Sequence, residues 1–596
     1  MADTTPLPGW GTIGRMLADS AGVYADRVAV IDGDRQLTYA ELHREARAAA
    51  KALIAAGIGR GDLVACWAPN GWRWVVMVHA VWMIGAVIVP ISSRLKVLEA
   101  GPILERTGAA VLFTVAECAG TRFIDGLRAA YGPELEGLPG LRRLVRLDVE
   151  RQSRRLDSAS PLEGKVGPQV RVGGDGSVFS QPSDMLNHTP HPSAKAPPTS
   201  PSRGEAIFEA VGFADFIATG EKIANSALDQ AIDQVQPGDI CEIIFTSGTT
   251  GTPKGVQLTH QQLIRAYWDW SGIGGLTVDD NYLVITPFSH GFGLNAGVIA
   301  SALRGMCMVL LDIFEPRAAL ELIRRHRISV IGGPPNLFTR LMDQPGVAEN
   351  PPTSLRVAFL GAASVPVEIL RRVGSVLGIR RVINAYGLME GCVVSMTRAD
   401  DDPSVISTTT GRALPDVEVQ VVNDAGQPVA AGEAGEILVR GYGVMAGYWR
   451  DEAQTRASIT DGWFHTGDIG VRDAAGNISI VDRKKDMFIC GGFNAYPAEI
   501  EDLLLKIGSL SAVSVVGVPD PQRGESAVAF VVPSSGRQVD ETTVIAWARQ
   551  NLAGYKVPRR VFVRDSLPLN PNGKVMKDAL RREAADSLIP HTVAGC

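Results

Sequence analysis

The stretch FTSGTTGTPKG, residues 245–255, gathers five hydroxyl side chains (Thr246, Ser247, Thr249, Thr250 and Thr252), three glycines (Gly248, Gly251 and Gly255) and one lysine, Lys254. Backbone N–H groups, hydroxyls and a single cation in one loop make a site for phosphate. The apolar residues Ile243, Ile244 and Phe245 read as the end of a buried strand, so the loop emerges from a sheet. A Walker A loop needs its lysine directly after a glycine and a hydroxyl directly after the lysine. Here Lys254 follows Pro253 and precedes Gly255, so this phosphate loop is of another kind. Gly and Thr alone would also suit a surface linker, but a linker has no need of the apolar strand or of a lysine fixed beside a proline. Far downstream, Lys574 follows Pro571, Asn572 and Gly573, a tight turn that projects the next side chain outward.

The elements that must hold these groups alternate. RVAVIDGD, the helical LTYAELHREARAAAKALIAAG, DLVACWAPN, an apolar helix and AVIVPIS follow one another, and this pattern continues through the first 480 residues. The fold class is therefore α/β, with parallel-rich sheets and packed helices in a large N-terminal domain. Thr38 with Glu41 three residues later predicts a capped helix start, and Gly57 its stop. After about residue 480, DRKKDMFICGGFNAYPAEIEDLLLK opens on charge and a Gly-Gly turn, and AVSVVGVPD, SAVAFVVPS and VPRRVFV read as short strands around the helix DETTVIAWARQNL. The expected division is a large domain over 1–481, a hinge at 482–487 and a small mobile α+β domain over 488–596.

Residues 158–206 break the pattern with eight prolines, eight serines, six glycines and one aromatic, Phe179. Such a segment buries too little apolar surface to offset its ordering entropy and reads as a disordered insertion. One codon choice for residues 200–206, SPSRGEA, has a reverse complement that translates as ASPLEG, the peptide at 159–164. The segment thus reads as an inverted-repeat DNA element inserted in frame, without a part in catalysis.

The chain has 596 residues, 45% of them hydrophobic and 20% charged, with a net charge of −6. That is ordinary for a soluble enzyme and carries no basic excess for nucleic acid. Seven cysteines (66, 118, 241, 307, 392, 490 and 596) form no C-x-x-C pair. Their scatter and the absence of a leader-like N-terminus suit reduced thiols in the cytoplasm. The apolar window at 74–91 is divided by Gly85 and Pro90 into a helix and a buried strand, so it reads as core, not membrane span.

Six separated motifs, in one order, resemble the adenylate-forming superfamily of acyl-CoA synthetases, peptide-synthetase adenylation domains and firefly-type luciferases. They are LTYAEL (37–42), FTSGTTGTPKG, NAYGLMEG (384–391), FHTGDIG (464–470), DRKKDMFICGGFNAYPAEIE (482–501) and PLNPNGK (568–574). The resemblance spans nearly the whole chain outside 158–206. It implies ATP, Mg2+ and coenzyme A. Thr246, Ser247, Gly248, Thr249, Thr250, Gly251 and Lys254 would wrap the β- and γ-phosphates, and Glu390 would hold Mg2+. Tyr386, with Gly387, would stack on adenine, while Asp468 and Arg483 would hold the ribose. Lys574 would bridge carboxylate and α-phosphate, rotation about Lys485 would withdraw it, and Gly491 and Gly492 would admit the pantetheine thiol.

The acyl pocket would be lined by 288–297, 332–342, 360–366 and 391–396, with His290 as a gate and Gly361, Ala362 and Ala363 leaving room. This lining is apolar and favours a hydrophobic monocarboxylate. One position departs from the family: Met389 stands where a threonine is usual. The implied activity is ligation of an acid to CoA through an acyl-adenylate. Two rivals stay open: an enzyme that loads the acyl group on a separate carrier protein, and a catalytically weak nucleotide- or acyl-binding relative. The implied partners are small molecules, with neither nucleic acid nor a membrane span, and the chain is compatible with a homo-oligomer.

Overall fold

The computed structural model describes residues 7–118, 120–147, 209–246, 253–361, 365, 367–483, 486–490, 493–520, 524–552, 554–570 and 574–588. The 158–206 segment lies outside the described residues, as do 247–252 of the predicted phosphate loop.

Two large sheets form the N-terminal domain. In one, Leu63–Trp67 runs parallel to Val87–Ile91 and to Val111–Thr114, and all the residues of these three strands are buried. Burial on both faces is why these strands read as unbroken apolar runs. The sheet continues through Arg143–Arg146 and Ala210–Gly212 on one side, and through Ile240–Thr246, Lys254–Thr259 and Gly447–Tyr448 on the other. Between the first two strands lies the helix Trp72–Met83, buried from Trp74 onward. Gly85 turns with φ +69 and Val87–Ile91 follows, so the apolar window is core. No described helix is long and apolar enough to cross a membrane. The expected helix start is also present: Thr38 caps Tyr39–Ala55, its hydroxyl accepting from the Glu41 N–H while the Glu41 carboxylate accepts from the Thr38 N–H.

In the second large sheet, Val28–Asp32, Cys307–Leu310, Asn281–Val284, Val330–Gly333, Val357–Leu360 and Arg381–Leu388 lie side by side in parallel. A core of aliphatic residues under Phe338 packs the helices against it. Its strand ends at Gly333, Leu360 and Leu388 open toward the turns that carry the predicted site residues. This is the carboxyl edge where parallel sheets place ligands.

From Val417 to Arg483 the chain departs from the expected α/β alternation. Val417–Val422, Ala434–Gly441, Trp463–Arg472 and Ile478–Arg483 form an antiparallel sheet, with only the short helix Glu452–Ser458 inserted. The reason is local: VEVQVV alternates with period two and ends in an Asn-Asp-Ala-Gly turn. The small domain pairs Leu510–Asp520 with Gly524–Pro533 along their length and adds Phe488–Cys490, Phe493–Ala495 and Arg560–Val563. The helices Pro497–Leu505 and Glu541–Asn551 cover one face over a core that includes Phe488, Ile500 and Val544. The helix Lys577–Leu588 covers the other, over Val516 and Phe530.

Candidate active site

Thr246 and Lys254 face each other across an antiparallel pair, so the phosphate loop is the connection of a hairpin. The Thr246 hydroxyl donates to the Lys254 carbonyl at 3.5 Å, and the Arg106 guanidinium donates to the Pro253 carbonyl at 2.5 Å, pinning the return strand. Ser247, Gly248, Thr249, Thr250 and Gly251 lie outside the described residues. Lys254 is described, and its ammonium stands 5.2 Å from the centre of the Tyr448 ring. The Tyr448 hydroxyl donates to a Glu390 carboxylate oxygen at 3.1 Å. Burial, and then the Glu390 charge, push the phenol up, so it stays a donor. Tyr448 thereby links the loop lysine to the predicted metal-holding acid.

Sequence reasoning missed this tyrosine. Its one sign in the letters is an aromatic after Gly447, which spacing does not separate from a core residue. The backbone of the Glu390 turn is fixed too, since its carbonyl accepts from the Met445 N–H at 2.8 Å.

The residues predicted to meet the nucleoside are assembled from two sheets. The Tyr386 hydroxyl donates to the Asp468 carboxylate through a short hydrogen bond. Asp468 is 2% exposed, its N–H donates to the Thr466 hydroxyl, and its backbone pairs in register with Arg483. A β-carbon on Gly387 would come within 2.4 Å of the Cys392 carbonyl, so only glycine fits that crossing. The structure thus joins Tyr386 to Asp468, and Lys254 to Glu390 by way of Tyr448.

The acyl segments also converge. A β-carbon on Gly291 would stand 3.0 Å from Met389 Sδ and 3.5 Å from Asn295 Nδ2, and one on Gly332 would stand 2.7 Å from the Phe292 ring. His290 caps the short turn Gly291–Gly293, its Nδ1 accepting from the Phe292 N–H at 3.1 Å. That bond requires a neutral acceptor nitrogen, and burial lowers the imidazole pKa accordingly. Gly361 follows the strand Val357–Leu360 with room for a β-carbon only 3.0 Å from the Ala385 carbonyl. Ala362 and Ala363 lie outside the described residues.

One buried acid went unnoticed in the sequence. Glu242 is fully buried in the strand before the phosphate loop, where CEIIF carries a single charge among apolar neighbours.

Lys574 stands on the small domain, exposed, in a hairpin of its own. Its N–H donates to the Asn570 side chain at 2.9 Å, Asn570 donates back to its carbonyl at 2.8 Å, and Leu569 bridges to Val575. Lys485, Gly491 and Gly492 lie outside the described residues. Beside the first of them, buried Asp486 is 3.4 Å from Arg581 on the helix that follows Lys574. Among the described residues no group of three or more His, Cys, Asp or Glu could hold a metal.

The site thus gathers a buried carboxylate bonded to Tyr386, a lysine and a second carboxylate joined through Tyr448, and apolar residues around Gly291. Comparison with known proteins gives the family. The family model of the AMP-binding enzyme matches residues 17–449, and that of the AMP-binding enzyme C-terminal domain matches 499–574. The chain is 40% identical over 558 residues to a (7a-methyl-1,5-dioxo-octahydro-1H-inden-4-yl)propanoyl:CoA ligase of Mycobacterium tuberculosis, covering 93% of this chain and 96% of that one. It is 30% identical over 573 residues to a long-chain-fatty-acid–CoA ligase of the same organism, covering 96% and 98%. Among solved structures, ATP-bound MatB from Rhodopseudomonas palustris matches with TM-score 0.74 at 25% identity, covering 97% of this chain and 99% of that one. With both domains matched and named CoA ligases similar along nearly its whole length, the chain belongs to the AMP-binding enzyme family, as an AMP-forming acyl-CoA ligase.

Proposed function

We propose that the acid is a hydrophobic, ring-bearing or fatty monocarboxylate, activated in two steps. In the first, a carboxylate oxygen attacks the α-phosphorus of ATP. The bond to the β-phosphate oxygen breaks, and pyrophosphate leaves with the electron pair. In the second, the CoA thiol loses its proton and attacks the acyl carbonyl, and the bond to the AMP oxygen breaks to give the thioester. The observation that carries this reading is the pair of linked contacts, Tyr386 with Asp468 and Lys254 with Tyr448 and Glu390, which match a nucleoside and its phosphates. The names of the relatives, one acting on a bicyclic propanoyl group and one on long-chain fatty acids, support an apolar acid.

In this proposal Asp468, with Arg483, holds the ribose, and Tyr386 and Gly387 flank the adenine. Thr246 to Gly251 and Lys254 neutralise the phosphates. A lone half-buried carboxylate with one oxygen already on Tyr448 fits Mg2+, which takes most of its ligands from phosphate and water, so Glu390 is the residue to hold it. The ion would supply charge neutralisation between the phosphate oxygens. Lys574 meets the developing charge in the first step. A hinge at 482–487 then turns the small domain, 488–596, against the large one, 1–481, so that Gly491 and Gly492 face the thiol. His290, Gly361, Ala362 and Ala363 border the acyl group. The enzyme works in the cytoplasm on small molecules.

Met389 favours a second reading, in which activation is slow. A threonine there could donate to the AMP phosphate, whereas the Met389 sulfur packs against Gly291. Losing one such bond costs about 1–3 kcal/mol. The test is pyrophosphate release and thioester formation across short, long, alicyclic and aromatic acids, with Lys574→Ala alongside. The expected result is acid-dependent release with thioester, and a fall of about 10²–10³ in adenylation for Lys574→Ala. Release without thioester would point to a carrier protein as acceptor. Release that Lys574→Ala leaves intact would remove that lysine from the first step.

A further inference from the structure

The return strand of the phosphate hairpin, Lys254–Thr259, has only the two-residue strand Gly447–Tyr448 on its outer side, with Val256 opposite Tyr448. Where the loop rejoins it, at Pro253 and Gly255, that short strand has ended, so the outer carbonyls need partners from elsewhere. The Gly255 carbonyl accepts from the Trp449 N–H at 2.7 Å, and the Pro253 carbonyl accepts from the Arg106 guanidinium at 2.5 Å. Arg106 stands in the last turn of the helix Val97–Thr107, and its own carbonyl accepts from the Arg450 guanidinium at 3.3 Å. Arg450 adjoins Trp449 in the chain, so these contacts close a ring. Lys254 lies in that ring, between the two held carbonyls.

A basic residue in the last turn of a helix is ordinarily placed by the helix dipole, and its side chain then turns back on the helix's own carbonyls. Arg106 instead bonds to a carbonyl 147 residues away, and Arg450 to one 344 residues away. Both acceptors are neutral, and among the described residues neither arginine has a carboxylate within ion-pair distance, so neither charge is cancelled. Arg450 also takes a left-handed φ of +52, where glycine is the residue of least strain. An arginine there is less stable than a glycine, and what it adds is the bond that closes the ring. The ring is tightly set as well: a β-carbon on Gly255 would stand 2.8 Å from the Ile243 side chain and 3.1 Å from that of Trp449. The return strand therefore has little room to shift.

We propose that Arg106 and Arg450 are positioning residues for the phosphate loop, holding its return strand so that Lys254 is aimed before ATP arrives. A loop that becomes ordered only on binding loses affinity to that ordering. Donors and cations fixed in advance need no rearrangement at the moment of reaction. The two uncancelled charges add to that of Lys254 beside a ligand of several negative charges. The effect falls on ATP alone, because among the described residues neither arginine bonds to the acyl segments around Gly291 or to the hairpin of Lys574. The proposal rests on the ligase reading above and deepens it by assigning two residues outside the six motifs to the ATP step.

The experiment uses the full chain and two readouts. One is the Kd of Mg-ATP by calorimetry without acid; the other is the two half-reactions measured apart, with the best acid of the panel above and its synthetic acyl-adenylate. Arg106→Leu should weaken Mg-ATP about tenfold and raise KM for ATP by the same factor, the worth of one charge-assisted hydrogen bond. KM for the acid, and thioester formation from the acyl-adenylate and CoA, should stay within about twofold. Arg106→Lys keeps the charge but not the planar fork, and should recover part of the loss. Arg450→Ala, one bond further round the ring, should give the same pattern at about threefold. Unchanged Mg-ATP affinity in all three variants overturns the proposal, and so do equal losses in both half-reactions, which would mark the ring as a contact of the fold. Should Arg106→Leu fail to fold, Arg106→Lys and Arg450→Ala decide the matter. Thioester formed by variants with unchanged Mg-ATP affinity leaves the ligase reading standing alone. If no acid yields thioester but the variants still weaken Mg-ATP, the ligase reading falls and the positioning role stands.

Discussion

Glu390 stands half-buried in a turn, with the Tyr448 hydroxyl on one carboxylate oxygen and the Lys254 ammonium over the same tyrosine ring. Glu242 is enclosed in a strand, with a neutral amide on one oxygen and nothing on the other. The side chains are identical, but burial without a cation raises the proton affinity of Glu242, whereas Glu390 stands in a half-buried turn with a phenol on one oxygen. One glutamate is thus left with open acceptor positions in a half-buried turn, and the other holds its proton more tightly than a free carboxyl. Environment, not residue type, assigns the chemistry.

The contrast can be broken most forcibly at Glu242 itself. Its folded pKa of about 7 lies above the ordinary 4.5, so the folded chain binds the proton more tightly than the unfolded one. The resulting stability is full below about pH 4.5 and is lost as pH rises through about 7, a change of about 3 kcal/mol by linkage. Urea midpoints of wild type against Glu242→Gln should therefore diverge between pH 5 and pH 8, the wild type declining relative to the variant. A constant difference would show that the acid is already ionised.

At the other end, Tyr448→Phe keeps the ring over Lys254 and removes only the hydrogen bond to Glu390. An about tenfold loss in kcat/KM for ATP is expected, with a higher Mg2+ requirement and the same factor for every acid, as one bond to a charged group is worth about 1.5 kcal/mol. A loss confined to particular acids would move Tyr448 to the acyl end. Gly291→Ala sharpens the boundary between the two ends. Its methyl would press on Met389 Sδ, so kcat/KM should fall several-fold, about 1 kcal/mol, for bulky acids, and Met389→Ala in the same chain should restore it.

The smallest effect is expected outside both ends. The strands Arg143–Arg146 and Ala210–Gly212 are parallel neighbours, which require a crossover of about a dozen residues. Deleting 158–206 leaves 147–157 and 207–209 to make it, so activity should stay within about twofold. A collapse of activity or expression would give the segment a role, and noncomplementary coding DNA at 159–164 and 200–206 would end the inverted-repeat account.

Much of the local structure around the residues predicted for the nucleotide was legible in single stretches. The hairpin that Ile240–Thr246 forms with Lys254–Thr259 and the turn after Arg381–Leu388 each depend on a few adjacent residues whose backbone requirements show in glycine and proline. The capped helix at Tyr39–Ala55 and the division of the 74–91 window were legible for the same cause, as both follow from local periodicity and punctuation. The antiparallel sheet from Val417 was misread as continued α/β, although its own alternation carried the evidence.

What stayed hidden were partners distant in the chain. Tyr448 is 58 residues from Glu390, and Asn295 is 53 residues from Glu242. Neither pairing has a period or a spacing, because each joins a strand residue, Glu242 or Tyr448, to a helical turn far away in the chain, at Asn295 or Glu390. The letters alone carry the reaction class, since phosphate and ribose are the same in every turnover and short turns suffice to meet them. The surroundings that raise the proton affinity of Glu242, aim Tyr448 at Glu390 and press Met389 on Gly291 exist only once the sheets have packed. Burial and long-range proximity are properties of the packed chain, which no local stretch of letters carries.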